Sequence, residues 1–145
     1  MYKRILLPLD GSPLAEQALP HACELAKRFG AELILLRVVE PFAQVSGLSI
    51  TDLQQIKEQA GTWSGEYLER IAAGIQEGDV PVIMDVIEGN APVGITQYSE
   101  ANGVDLIVMS TRGRSGISRW LMGSVADRVV RGATVPVLLV RVGNE

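Results

Sequence analysis

The feature that most constrains this chain is a set of short runs with almost no polar face. Ile5 to Leu9 is wholly apolar, residues 33 to 39 are apolar except for Arg37, and Val104 to Met109 is apolar except for Asp105. Strands with one wet face alternate apolar and polar residues, whereas parallel strands covered on both faces read as near-continuous apolar runs like these. Two further strands are predicted at Pro81 to Ile87 and at Val135 to Val142.

Helical patterns fill the gaps. Asp10-Gly11-Ser12 is a turn cluster, after which Ser12 suits an N-cap and Pro13 the first helical position. Leu14, Ala18, Ala22, Leu25, Ala26 and Phe29 then share one helical face up to Gly30, with Pro20 expected to bend the helix. From Thr51, the residues Leu53, Ile56, Ala60, Trp63, Tyr67, Ile71 and Ile75 recur at helical spacing, with a soft spot expected near Gly61. Shorter helices are expected from Asn90 to Ala101 and from Ser124 to Arg131. This alternation predicts an α/β fold, an open parallel sheet with helices on both faces and right-handed crossovers. Ligands of such sheets bind beyond the carboxyl ends of the strands, where strand order reverses. Asp10 and Ser110 both follow strand ends, and they share one crevice if the first and fourth strands are neighbours.

Size and composition narrow the class. A chain of 145 residues suits one domain spanning its whole length, and 47% hydrophobic with 21% charged residues is the balance of a globular protein rather than a disordered one. A formal charge of -4 with no basic block argues against nucleic acid as a partner. No apolar run reaches the roughly 18 to 20 residues of a membrane span, and Met1 leads straight into a strand, so a cytoplasmic location is expected. Cys23 is the lone cysteine and is expected to be an inert thiol on a helix, in keeping with a reducing compartment. His21 has no nucleophile or metal-ligand partner nearby in sequence and reads as structural.

The most informative stretch is the loop from Ser110 to Met122, which leads into Gly123-Ser124 and a helix. It carries Gly113, Gly116 and Gly123 together with Arg112, Arg114 and Arg119. Loops of about a dozen residues are uncommon in compact domains unless they have a task. Glycine lets backbone amides approach an anion, and a helix N-terminus adds unpaired donors carrying about half a positive charge. Phosphate is the natural guest, with Gly123 and Ser124 as its innermost contacts; local chemistry alone also allows Gly123-Ser124 to be a simple helix cap. The arginines are candidates for the outer phosphates or else solvated loop charges, and Trp120, Leu121 and Met122 are expected to anchor the loop.

A small residue, two others, Gly113, nine others, then Gly123-Ser124 resembles the G-x2-G-x9-G-[S/T] signature of ATP-binding universal stress proteins. Leu7-Pro8-Leu9-Asp10-Gly11-Ser12 resembles that family's opening turn, and Val135 to Val140 its closing strand, so the likeness covers the whole chain. The resemblance implies a Rossmann-like sheet of order 3-2-1-4-5. It also implies ATP, with ADP or AMP as variants and magnesium as a possible companion, bound by Pro8, Leu9, Asp10, Val38, Met109, Ser110, Arg112, Gly113, Arg114, Gly123, Ser124 and Val125. In that scheme Asp10 bonds the ribose hydroxyls, Val38 lines the adenine pocket with Pro8 and Leu9 beside the base, and Gly113, Gly123, Ser124 and the Val125 amide take the phosphates. An Asx-turn is the alternative for Asp10 and plain strand core the alternative for Val38. Ser110 stands where nucleotide-binding members commonly carry glycine, and its small side chain is expected to be tolerated.

No P-loop G-x4-G-K-[ST] and no early G-x-G-x-x-G is present, which removes the common NTPase and dehydrogenase readings. A phosphoacceptor receiver would resemble a pattern with an acidic pair after the first strand, and a flavodoxin one with a hydroxyl-rich loop there; Asp10-Gly11-Ser12-Pro13 fits neither. Asp10 is the only acid in the motif segments, so a nucleotide-dependent stress regulator or sensor is expected, with no catalytic residue. A slow ATP hydrolase or phosphate-transferring enzyme, and a dimer that binds no nucleotide, remain the alternatives. The apolar last strand, Val135 to Val142, predicts a homodimer if it lies at a sheet edge.

Overall fold

The computed structural model describes residues 1–41, 49–75, 80–112 and 123–143. Its elements are β1 (Arg4–Pro8), α1 (Pro13–Glu16), α2 (Leu19–Phe29), β2 (Glu32–Val39), α3 (Ile50–Ala73), β3 (Val82–Glu88), α4 (Ala91–Ala101), β4 (Leu106–Arg112), α5 (Ser124–Gly132) and β5 (Val137–Val142). The strands form one five-stranded parallel sheet of order β3-β2-β1-β4-β5, as expected. Alternation along each strand splits the core in two. Ile5, Leu7, Leu9, Leu33, Leu35, Leu106 and Val108 pack under α1, α2 and α3. Leu6, Ile34, Leu36, Val38, Ile107 and Met109 pack on the opposite face, with Ile95 of α4 and with Ala126 and Val129 of α5. Each fully buried aliphatic side chain contributes roughly 1.5–3 kcal/mol, which explains why the inner strands lack a polar face.

Three local expectations are corrected. The first helix is broken rather than bent: α1 stops at Glu16, Gln17 and Ala18 form a turn, and Pro20 sits in the first turn of α2. A proline ring clashes with the carbonyl four residues earlier and offers no amide, so the chain restarts its helix around it. Helix α3 runs unbroken through Gly61 and Gly65, opened by a capping box in which Ser49 Oγ accepts from the Asp52 amide at 3.1 Å. Packing of this helix on β2 and β3, with Leu68 fully buried, outweighs a local cost of about 1 kcal/mol per glycine. Strand β4 extends through Ser110, Thr111 and Arg112 because β5 runs alongside, pairing them with Val140, Arg141 and Val142.

The seam between β1 and β4 positions the site. At its amino end the Asp105 carboxylate accepts the amides of Lys3 (2.7 Å) and Arg4 (2.9 Å), while the Asp105 amide donates to the Arg4 carbonyl (2.9 Å). Those two backbone donors, Lys3 first, hold the Asp105 carboxyl below its ordinary range. The ladder pairs Ile5 with Leu106 and Leu6 with Ile107 and then ends, although β1 stays paired with β2 as far as Pro8 and Leu36. Beyond Leu6 the two strands part, and a crevice opens where the strand order reverses.

Candidate functional site

That crevice widens into a cleft of about 1300 Å³ across the carboxyl ends of β1, β2 and β4. Pro8, Leu9, Asp10, Val38, Met109, Ser110, Arg112, Gly123, Ser124 and Val125 all line it. Gly113 and Arg114, with Arg119 and the anchoring residues Trp120, Leu121 and Met122, lie outside the described residues. His21 is exposed on α2 and Cys23 is partly buried there, its thiol pushed up by burial; neither lines the cleft.

Asp10 divides its carboxylate between two directions. Its Oδ1 accepts the Ser12 amide (2.9 Å) and the Ser12 hydroxyl, closing an Asx-turn, while Oδ2 has no partner among the described residues. Ser12 in turn accepts the Ala15 amide at 3.2 Å as the N-cap of α1. The turn expected as the alternative for Asp10 therefore exists, and it leaves the second oxygen of this cleft-lining residue without a partner among the described residues. Val38, Leu9 and Met109 are wall and core at once, each buried, and the Leu9 amide is committed to the Leu36 carbonyl at 2.8 Å. A Cβ on Gly94 of α4 would stand 3.1 Å from Val38 Cγ1, so glycine at that point lets α4 close onto β2 behind the pocket. The Ser110 hydroxyl donates to the Ala15 carbonyl at 3.4 Å, which turns its side chain toward α1.

Across the cleft, α5 begins at Ser124 with Gly123 as its N-cap and no side chain bonded to its first-turn amides. The Gly123 amide donates to Thr111 Oγ1 at 3.3 Å, so this donor, read from the sequence as one of the innermost phosphate contacts, already has a protein partner. The amides of Ser124, Val125 and Ala126 have none among the described residues, and all three residues line the cleft. A nine-residue helix thus begins in the wall of the cleft that Asp10 also lines, with its positive end there.

The cleft has a second wall that the motifs did not reveal. Helix α3 contributes Trp63, Ser64, Tyr67 and Arg70, and β2 contributes Arg37. The Tyr67 hydroxyl donates to Glu16 Oε2 at 3.0 Å, and burial, then Glu16, then Asp10, raise the phenol well above its ordinary value against the opposing pull of Arg37. Two signals for this wall stand in the sequence. One is a charge inside an otherwise apolar strand, and the other is Trp63, Tyr67 and Arg70 recurring at helical spacing.

Comparison with known proteins gives concordant results. A model of the universal stress protein family matches residues 1–141. A universal stress protein of Methanocaldococcus jannaschii is 36% identical over 143 residues, covering 97% of this chain and 83% of that protein. The structure of the universal stress protein UspA from Lactobacillus plantarum superposes with a TM-score of 0.83 at 24% identity, covering 97% of this chain and 98% of that one. A universal stress protein in complex with cAMP superposes with a TM-score of 0.68 at 23% identity and 97% coverage of both chains. With the whole chain matched in sequence and in sheet order, this protein belongs to the universal stress protein family.

Proposed function

We propose that the cleft binds an adenine nucleotide, ATP in the first place, and that the protein acts as a nucleotide-dependent regulator in a stress response. The observation that carries this reading is Gly123. Its φ of -57° and ψ of 150° suit any residue, and a Cβ built there meets nothing within 4 Å among the described residues. Among the described residues neither backbone conformation nor packing requires glycine, and Ser, Asn or Asp would cap the helix somewhat better. A ligand that approaches the backbone closely supplies the missing reason.

In this reading the Ser124 and Val125 amides and the Ser124 hydroxyl hold phosphate oxygens, with Arg112 at the outer phosphates. Asp10 Oδ2 accepts a ribose hydroxyl, and the base lies by Val38 and Met109 with the backbone of Pro8 and Leu9 beside it. Gly113 and Arg114 join on the motif spacing alone. The neighbour solved with cAMP is an adenine-nucleotide complex of the same fold, while the preference for ATP here comes from the loop signature. Among the described residues no group of three or more His, Cys, Asp or Glu is arranged to hold a metal, and the carboxylates lining the cleft are Asp10 and Glu40. Efficient phosphoryl transfer needs a positioned base and metal-holding carboxylates, so binding is favoured over turnover.

The test is to denature the purified protein, chromatograph what it releases, and titrate the emptied protein with ATP. Release of an adenine nucleotide and saturable binding are expected; the absence of both rejects the proposal. A homodimer through Val135 to Val142 belongs to the same reading: β5 is an edge strand and Leu138 on it is 39% exposed. A monomeric mass at micromolar concentration would count against it. Among the described residues no helix is long and apolar enough to cross a membrane.

A further inference from the structure

The α3 wall has features that a nucleotide held between Val38 and α5 does not use. Leu33 and Leu35 face α3 while Ile34, Leu36 and Val38 face α4, so alternation places Arg37 on the α3 side. A charge at that point of a buried strand needs a reason. Arg37 Nη1 donates to the Val38 carbonyl at 2.7 Å, and among the described residues no carboxylate forms an ion pair with this guanidinium. Its Nε–Nη2 edge, a two-donor fork matched to a carboxylate, has no partner among the described residues.

Around that fork stand flat surfaces. Arg70 lies with its guanidinium carbon 5.8 Å from the centroid of the Tyr67 ring, and the hydrogen bond to Glu16 fixes that ring. Trp63, one turn earlier on α3, is 66% exposed at the mouth of the cleft. Glu16 accepts the Tyr67 hydroxyl, Asp10 closes its turn through Oδ1 and Glu40 lines the same cleft, and among the described residues none of the three is ion-paired with Arg37. We infer that this arm of the cleft, lined by Arg37, Trp63, Tyr67 and Arg70, is a second site, for a small planar aromatic carboxylate. The ring stacks on Trp63 and under the Arg70 plane, and the carboxylate meets the Arg37 fork. A single negative charge fits better than a phosphate, because Asp10 and Glu16 border the arm and repel a doubly charged group. This inference does not depend on the nucleotide reading, which uses other side chains of the same cleft, although Asp10 borders both.

The test uses 2-naphthoate as probe and its neutral counterpart, 2-naphthalenemethanol, with the full chain. A Trp120→Phe background leaves Trp63 as the single indole, so its emission reports the arm. One naphthoate per chain is expected to quench Trp63. It should bind at least about tenfold more tightly than the alcohol, the margin of one charge-assisted hydrogen bond. Calorimetry should find binding weakened about tenfold by Arg37→Met and by Trp63→Ala, and retained in Gly123→Val and in the presence of saturating ATP. Equal binding of acid and alcohol, displacement of naphthoate by ATP, or indifference to both Arg37→Met and Trp63→Ala would each overturn the inference. If ATP fails to bind while naphthoate behaves as described, only the nucleotide reading falls.

Discussion

The two ends of the β1–β4 seam are made from the same pair of strands and behave in opposite ways. At the amino end, every polar group discussed is spent inside the fold: the Asp105 carboxylate holds the Lys3 and Arg4 amides, and its own amide holds the Arg4 carbonyl. At the carboxyl end the ladder stops at Leu6 and Ile107, and among the described residues polar groups are left over: Asp10 Oδ2 on one side, the Ser124, Val125 and Ala126 amides on the other. Acidic and amide groups occur at both ends, yet those at the first end are paired within the fold and those at the second are the ones the proposed nucleotide would use. Substitutions can therefore separate the two.

The largest expected effect is at the open end. Gly123→Val should weaken ATP binding by roughly a hundredfold, about 2.7 kcal/mol, with little change in Tm because a Cβ there meets nothing among the described residues. Calorimetric titration beside a thermal melt checks both parts; a large loss of Tm would make Gly123 a structural glycine. Next, Asp10→Asn keeps an oxygen for the Ser12 turn and replaces the free acceptor with a donor, so it should cost roughly tenfold in affinity with stability unchanged.

The pinned end should give the inverse result and the smallest effect. Asp105→Asn should cost about 1 kcal/mol in denaturant unfolding, a modest value for a partly exposed carboxylate, and leave ATP affinity alone. Its pH dependence has a fixed sign. The folded-state pKa lies below the ordinary 3.8, so the contribution of Asp105 is complete above that value and is lost as pH falls below it toward the depressed value. The variant should therefore lose part of the acid limb of the stability curve, below about pH 4. An unchanged acid limb would separate Asp105 from the pinning.

Much of this organisation was legible in the sequence because it is local or periodic. Uniformly apolar strands announced a sheet covered on both faces, Ser12-Pro13 announced the start of α1, and Gly123-Ser124 announced the start of α5. What was missed depends on partners distant in sequence. Ser110, Thr111 and Arg112 look like a loop until β5 pairs with them, and Gly61 looks like a weak point until α3 is laid on the sheet. Trp63, Tyr67 and Arg70 look like ordinary positions of a long helix; their joint role on a cleft wall appears only once α3 lies over the carboxyl end of β2, beside Arg37. The Thr111–Gly123 bond was equally hidden, since it needs β4 to continue past Met109.

The central claim is that unpaired amides at the start of α5 receive phosphate oxygens across the cleft from Asp10. An amide-resolved NMR titration with ATP tests it most directly. The account predicts large, saturable shifts for the Ser124, Val125 and Ala126 amides, together with those of the Asp10–Ser12 turn, while the Lys3 and Arg4 amides stay in place. Saturable ATP binding that leaves the α5 amides unmoved would contradict it.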